Sequence, residues 1–411
     1  MELKKQQLLV LLTSMFIFTL GFGIVIPVFG YFTKSMGASA LDVGLLMATM
    51  SAMQFLFAPA WGRVSDRYGR KPVMFIGLFG FSASFIIAGL STQIWMLFVS
   101  QVIGGVLSAG IFPAVMAYVS DVSSHSDRGR LMGFMGAAMG MGIIIGPAIS
   151  SALTIWGLTA PFFASAGLAL VTLAFGLVLL PESLKPGTQR AGVKKKPLLA
   201  MLRTPMGTLF FMMLLASFAA ACVEGTGAYF IMDKFTLTDA PSQMPVLTGQ
   251  VTLTGPNVMG IMFTFMGIVS VVSQMGVGSV IQRYGEEKTI VLGLLAMGGG
   301  IGLMIVSLDL VTLLLFIGLM SVGTSFINPA VNTLVSKRSS PDQLGATMGL
   351  LGSFNSIGRV LGPSVGGLAY VANMALPYAG SSVVAFGCAA VMAFMGKSSK
   401  QPDQDSEGTA Q

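Results

Sequence analysis

The sequence predicts an all-α membrane protein, twelve transmembrane helices arranged as two pseudo-symmetric six-helix bundles. Three observations carry that reading. The chain of 411 residues is 54% hydrophobic and only 9% charged, with a mean hydropathy of +0.82, so most of its solvent is lipid. Apolar runs of about 20 residues recur throughout, each long enough to cross a hydrocarbon core as a helix. Finally, the charged stretch "GRVSDRYGRKP" (Gly62 to Pro72) returns 216 positions later as "GSVIQRYGEEK" (Gly278 to Lys288).

In lipid the backbone polar groups are satisfied only by helices or a closed barrel. The apolar runs are continuous rather than alternating, which selects helices. Spans are drawn near 7–32, 41–61, 72–90, 94–119, 131–154, 161–180, 206–232, 259–280, 288–307, 310–335, 345–370 and 376–396. The N-terminal stretch has the basic flank of a signal peptide. Its apolar run is too long and no small-residue cleavage site follows, so it reads as a retained first span. Asp42 and Asp309 read as helix starts of spans 2 and 10.

Twelve spans put both termini on one side, and the basic residues say which. Twenty Lys and Arg fall on the terminal side, only Lys34 and Lys234 fall opposite, and Arg359 lies within a span. Lys and Arg in short loops stay cytoplasmic, so both termini are expected there. The same bias explains the net charge of +7, and no nucleic-acid partner is expected. Residues 184–205 are polar, basic and Pro/Gly-containing, and read as a cytoplasmic linker between halves at 1–183 and 206–396. The tail 397–411 reads as disordered. The outer loop Phe235 to Asn257 contains "VLTGQVTLTG", which alternates as a small hairpin would, or is unordered.

Cys222 and Cys388 lie in apolar segments and read as inert buried thiols, and His125 as a solvated loop residue. No catalytic triad, metal cluster or phosphate loop is present, so neither an enzyme nor a cofactor is expected.

The offset of 216 also maps Pro113 onto Pro329, Met132-Gly133 onto Met348-Gly349, Gly142 onto Gly358 and Gly146-Pro147 onto Gly362-Pro363. A gap-free register over about ninety residues marks a duplication, with spans 2 to 5 repeated as spans 8 to 11 in the same orientation. Two parallel six-span repeats are the organisation of major facilitator transporters, whose substrate site lies between the halves near mid-membrane. The residues resemble that family too. "GRVSDRYGRKP" resembles its signature loop between spans 2 and 3. "GAAMGMGIIIGPAISS" in span 5 resembles the antiporter motif of its twelve-span drug:proton antiporters, with Gly142, Gly146 and Pro147 in place. "LGFGIVIP" in span 1 and "LPES" after span 6 are similar as well.

Gly62 and Gly69 are read as allowing a tight reversal between helices. The resemblance implies that Asp66 docks on the start of span 11, near Gly345, where the helix dipole favours an anion. It also implies that Arg70 pairs with Asp121, and that this latch closes the cytoplasmic side. The second turn has Gln282 for Asp66 and Glu286 for Arg70, and reads as a decayed copy, one firm latch sufficing. Arg67 and Lys71 serve equally as a positive-inside anchor. The span-5 glycines and Pro147 have a packing reading, since small residues let helices approach closely and proline bends them. A role in preventing leak is implied by the resemblance alone, and Ser150 and Ser151 replace the usual glycine pair there.

An ionisable group at membrane depth costs about 2.5 kcal/mol or more, which makes it a functional candidate. Glu224 in "AAACVEGTGAYF" is the acid set well inside a span. An apolar surround disfavours the charged carboxylate, so Glu224 is the expected proton carrier. Arg359, halfway along span 11, needs a partner. Glu224, backbone carbonyls, water or an anionic substrate would each serve. Asp233 reads as interfacial. Relatives carry an arginine in span 4 where this chain has Gln101, and some carry an acid in span 10 where it has Ser325. Gln54, Gln101, Tyr229, Phe265, Asn328, Asn355 and Arg359 are candidates for lining a substrate cavity. The polar ones serve equally as helix–helix contacts.

The resulting expectation is a monomeric, proton-coupled exporter of amphipathic or hydrophobic small molecules, working by alternating access. The resemblance implies a bacterial plasma (inner) membrane. An uptake symporter, a facilitator, or an exporter of a sugar, metabolite or lipid is the alternative on the same fold. A membrane receptor or scaffold fits less well, because an intact latch loop has no use there.

Overall fold

Long apolar stretches bounded by glycine, proline or a capping side chain become helices in the computed structural model, which describes residues 5–122, 128–183, 205–237, 241–246, 249–339 and 344–398. His125, the linker 184–204 and the tail beyond 398 lie outside these residues. Span 1 is the helix Lys5–Ser35, span 2 Ala40–Tyr68 and span 3 Arg70–Gly89. Span 4 comprises Ile94–Ser108 and Ile111–Val122, span 5 is Arg128–Leu153 and span 6 is Ala160–Leu179. Span 7 is Pro205–Phe235, span 8 Gly255–Tyr284 and span 9 Glu286–Met304. Span 10 is Leu310–Arg338, span 11 Leu344–Ala372 and span 12 Leu376–Ser398.

Eleven of these helices are long and apolar enough to cross a membrane. Span 11 has the length, at 29 residues, but its Gly, Ser and Asn residues and Arg359 dilute its apolar character. Such a helix is stable at membrane depth only if its polar side faces protein or water.

Within the first half, span 1 packs on spans 5 and 6, span 3 on spans 4 and 6, and span 2 on span 4. Within the second, span 7 packs on spans 11 and 12, span 9 on spans 10 and 12, and span 8 on span 10. Each pair is the other shifted by six, which is the pseudo-symmetry of two bundles. Across the seam, span 2 meets span 11 and span 5 meets span 8, again as mates.

On the face opposite the termini the halves touch closely. A Cβ built on Gly30 would lie 2.4 Å from Ala228 Cβ, and one on Gly44 2.1 Å from the Pro363 carbonyl oxygen. Gly367 meets the Ala40 carbonyl, and Gly255 meets the Tyr31 ring. Toward the terminal face parts of spans 2 and 8 are open. Phe55, Leu56 and Phe57 are exposed, and nothing lies within 4 Å of a Cβ built on Gly62, Gly276 or Gly278.

Two boundaries differ from the sequence expectation. Span 2 continues as helix through the charged stretch to Tyr68, so Gly62 is a helical residue. Gly69 alone makes the reversal, at φ +115°, and Gly285 repeats it at φ +80°; neither conformation suits a side chain. Span 4 is interrupted at Ala109–Gly110. Pro113, just beyond, has no N–H to continue the helical ladder there.

Helix starts on the opposite face are capped. Ser39 and Asp42 form a reciprocal capping box on span 2, and Asp309 and Thr312 form one on span 10. The alternating outer loop is an antiparallel hairpin of β1 (Ser242–Val246) and β2 (Gly249–Leu253). Its Met244 is fully buried, and β1 contacts span 10.

Candidate functional site

The site begins with glycines. Gly358, Gly362 and Gly366 form a small-residue stripe on span 11. A Cβ on Gly358 would lie 2.4 Å from the Leu214 carbonyl oxygen, one on Gly362 2.6 Å from Ala221 Cβ, and one on Gly366 3.0 Å from Cys222 Cα. Spans 7 and 11 therefore run backbone against backbone. The buried Cys222 thiol donates to the Gly362 carbonyl, as expected of an inert packed thiol.

That close approach brings the two charged residues at mid-depth together. Arg359 Nη2 donates to Glu224 Oε2 at 3.2 Å, with 56% of the arginine side chain and 30% of the glutamate exposed. One turn earlier on span 11, Asn355 accepts from Ser217 Oγ at 2.6 Å. The polar face of span 11 thus splits its contacts between span 7 and open space.

Glu224 also borders a small, partly open cleft between spans 7, 8, 9 and 10. Met259, Met262 and Met266 line it from one face of span 8, joined by Met304 and Met320, with Phe263 beside them. Glu224 is its one ionisable lining residue. Flexible, polarizable thioethers adapt to ligands of differing shape and make favourable contacts with aromatic rings. The arrangement therefore combines a deformable apolar wall with one carboxylate already held by a displaceable partner.

The first half repeats the seam without the charges. A Cβ on Gly142 would lie 2.2 Å from Thr19 Oγ1, and one on Gly146 2.5 Å from the Gly23 carbonyl carbon, so span 5 is pressed onto span 1. Pro147 and Ser150 are buried beside them. The remaining cavity candidates separate. Gln54 donates to Ser108 Oγ at 3.2 Å, Gln101 is buried, and Phe265 packs against Gly318. Asn328 is exposed. Tyr229 is buried away from the Glu224 cleft, its hydroxyl donating to the Ala38 carbonyl at 2.6 Å across the halves.

A family model described as Major Facilitator Superfamily matches residues 11–255 and again residues 209–410. The chain belongs to that superfamily. Multidrug resistance protein 1 of Bacillus subtilis is 31% identical over 403 residues, covering 96% of this chain and 97% of that protein. The quinolone resistance protein NorA of Staphylococcus aureus is 26% identical over 373 residues, with 90% and 92% covered. Among solved structures, a variant of the nucleoside transporter NupG matches with a TM-score of 0.78 at 17% identity, covering 95% and 99% of the two chains. This chain is a membrane transporter rather than an enzyme.

The transporter's signature turn is an ion cluster inside the first half. Arg70, 3% exposed, donates from Nε to Asp121 Oδ2 at 3.0 Å and from Nη1 to Asp66 Oδ1 at 2.5 Å and to Ser65. Asp66 is 60% exposed. The side chains at the start of span 11, about Gly345, where the resemblance puts its partner, lie outside the described residues. Arg67 is exposed and stacks over Tyr68.

Reading the sequence missed Glu182, although "LPES" was recognisable. Its carboxylate accepts from the Arg70 and Lys71 backbone N–H groups at 2.9 and 3.0 Å, capping span 3 where Gly69 leaves no room for a Cβ. At the second turn Gln282 stands where the first has Asp66, but Glu286, in the place of Arg70, keeps a charged partner. Glu286 pairs with Lys337 and Glu287 with Arg338. Among the described residues no group of three or more His, Cys, Asp or Glu could hold a metal.

Proposed function

We propose that this transporter is a multidrug-type, proton-coupled exporter of amphipathic or hydrophobic small molecules, acting by alternating access in a bacterial plasma membrane with both termini cytoplasmic. The observation that carries the reading is the Glu224–Arg359 pair on the wall of a methionine-lined cleft. The names of its relatives, multidrug and quinolone resistance proteins, support the substrate class.

In this reading a proton arriving at Glu224 neutralises the carboxylate and releases Arg359. The change alters which packing of the halves is favoured. Substrate entering the cleft competes for the same surface, so binding of one favours departure of the other. Coupling rests on this one acid, because span 4 carries Gln101 and span 10 carries Ser325. The halves 1–183 and 206–396 move as bodies joined by residues 184–205, and the monomer suffices. The described state, closed opposite the termini and parted toward them, is then the one open to the cytoplasm.

The experiment is transport in proteoliposomes carrying an imposed proton gradient. Wild type is expected to move an amphipathic dye with strong pH dependence, and Glu224→Gln to lose at least tenfold of the gradient-driven rate (about 1.4 kcal/mol). Equal rates and equal pH dependence in the two proteins would sink the assignment.

A further inference from the structure

On the face opposite the termini, one end of span 1 meets the ends of spans 7 and 11 through a cluster that the coupling scheme does not use. Lys34 Nζ lies 3.0 Å from Asp233 Oδ1. The Tyr370 hydroxyl donates to the other oxygen, Asp233 Oδ2, at 2.8 Å. The same lysine ammonium sits 5.3 Å from the centre of the Tyr229 ring, and Tyr229 closes the group by donating to the Ala38 carbonyl. Lys34 and Ala38 belong to the first half, and Tyr229, Asp233 and Tyr370 to the second.

We propose that Lys34, Asp233, Tyr229 and Tyr370 form the reversible lock that holds the far side of the transporter shut while the terminal side is open. The proposal rests on the alternating-access reading above.

Three features suit a lock rather than a permanent staple. First, the ion pair is partly exposed, with 36% and 42% of the side chains accessible, and exposed pairs contribute little and break readily. Second, the partners are unequally tied. Tyr370 and Asp233 share a half, so when the halves separate Tyr370 keeps one carboxylate oxygen satisfied, and the contacts that pass to water are those of Lys34 and of the Tyr229 hydroxyl with Ala38. Opening thus leaves no buried group without a partner, which keeps its cost small. Third, the contacts sit on an apolar seam of minimal side chains, Gly30 on Ala228 and Ala40 on Gly367. That seam supplies close packing without interdigitated side chains to extract. The lock also shares its helices with the proton site. Glu224 and Asp233 stand nine residues, about 14 Å, apart along span 7. Their partners Arg359 and Tyr370 both come from span 11, so spans 7 and 11 are tied at two depths.

Spin labels at Leu90→Cys and Leu308→Cys report the separation directly. Both positions are exposed on this face, at the ends of spans 3 and 9, and the two native thiols are buried. Pulsed electron-spin distances in proteoliposomes should give a short and a long population in wild type, shifting with the proton gradient. Lys34→Met, Asp233→Asn and Tyr229→Phe, each of which removes a contact that crosses between the halves, are expected to raise the long-to-short ratio roughly three- to tenfold, as for one lost hydrogen-bonded contact. The exchanged pair Lys34→Asp with Asp233→Lys should return the ratio toward wild type. Variant ratios equal to wild type overturn the lock, as does an exchanged pair no better than the single changes. Tyr229→Phe, which deletes only the hydroxyl that bonds the Ala38 carbonyl across the halves, decides the matter if the charge variants do not fold. A wild type with one unchanging distance at every gradient overturns alternating access and the lock together. A wild type that shifts beside variants that match it overturns the lock alone.

Discussion

Lys337 holds Glu286 across the turn between spans 8 and 9, in the place where Asp121 holds Arg70 between spans 2 and 3. The 216-residue offset carries Arg70 onto Glu286 and Asp121 onto Lys337. The duplication has kept the contact and reversed its charges. Each half thereby ties its third helix to the end of its fourth.

The two pairs differ in burial, and the difference ranks them. Arg70 is 3% exposed, whereas Lys337 is 65% exposed. Removing one partner from a buried pair costs about 3–5 kcal/mol, and an exposed pair contributes about 0–1 kcal/mol. Asp121→Ala, which leaves the buried Arg70 with Asp66 and Ser65 but with no partner at Nε, is expected to lower the thermal unfolding midpoint in detergent by a few degrees. Lys337→Ala should shift it little, and equal shifts would refute the ranking.

Glycine substitutions separate packing from flexibility in the repeated seams. Gly142 and Gly358 have main-chain or side-chain atoms within 2.4 Å of a built Cβ, while Gly227 has open space. Gly142→Ala and Gly358→Ala are expected to destabilise by about 1–3 kcal/mol through overpacking. Gly227→Ala should be neutral or stabilising by up to about 1 kcal/mol, the helix preference of alanine. Melting curves of the three variants make the comparison.

Glu182 provides the cap of span 3. Deleting a side chain that accepts two orphan N–H groups at a helix N-terminus costs about 1–2 kcal/mol. Glu182→Ala should show that loss of stability, and Glu182→Gln, which keeps an acceptor without the charge, should show less. A melting point unchanged in Glu182→Ala contradicts the capping role.

The methionine wall predicts breadth of substrate. Replacing Met259, Met262 and Met320 by leucine conserves volume, and each change should cost less than about 1.5 kcal/mol of stability. The stiffer side chains should narrow the range of dyes transported, with some substrates nearly unaffected and others lost. A uniform change across a panel of dyes argues that the cleft does not contact them.

Span number, helix identity and the internal repeat were all legible in the chain, because each depends on neighbours within about twenty residues or on comparing the chain with itself. Glu224 and Arg359 stood out for the same reason, as charges inside apolar runs. The sequence left open which partner Arg359 has. It cast Gly62 as part of a turn, passed over Glu182, set Tyr229 among cavity residues and took the second charged turn for decay. Those points hang on contacts between groups far apart in the chain: 112 residues for Glu182 and Arg70, 135 for Glu224 and Arg359, 199 for Lys34 and Asp233. Whether such groups meet depends on where glycines let two helices touch and on how far the halves tilt. Local composition records neither. A duplicated twelve-span transporter follows from composition and self-similarity alone, whereas which charges face one another follows from helix contacts that exist only in the folded molecule.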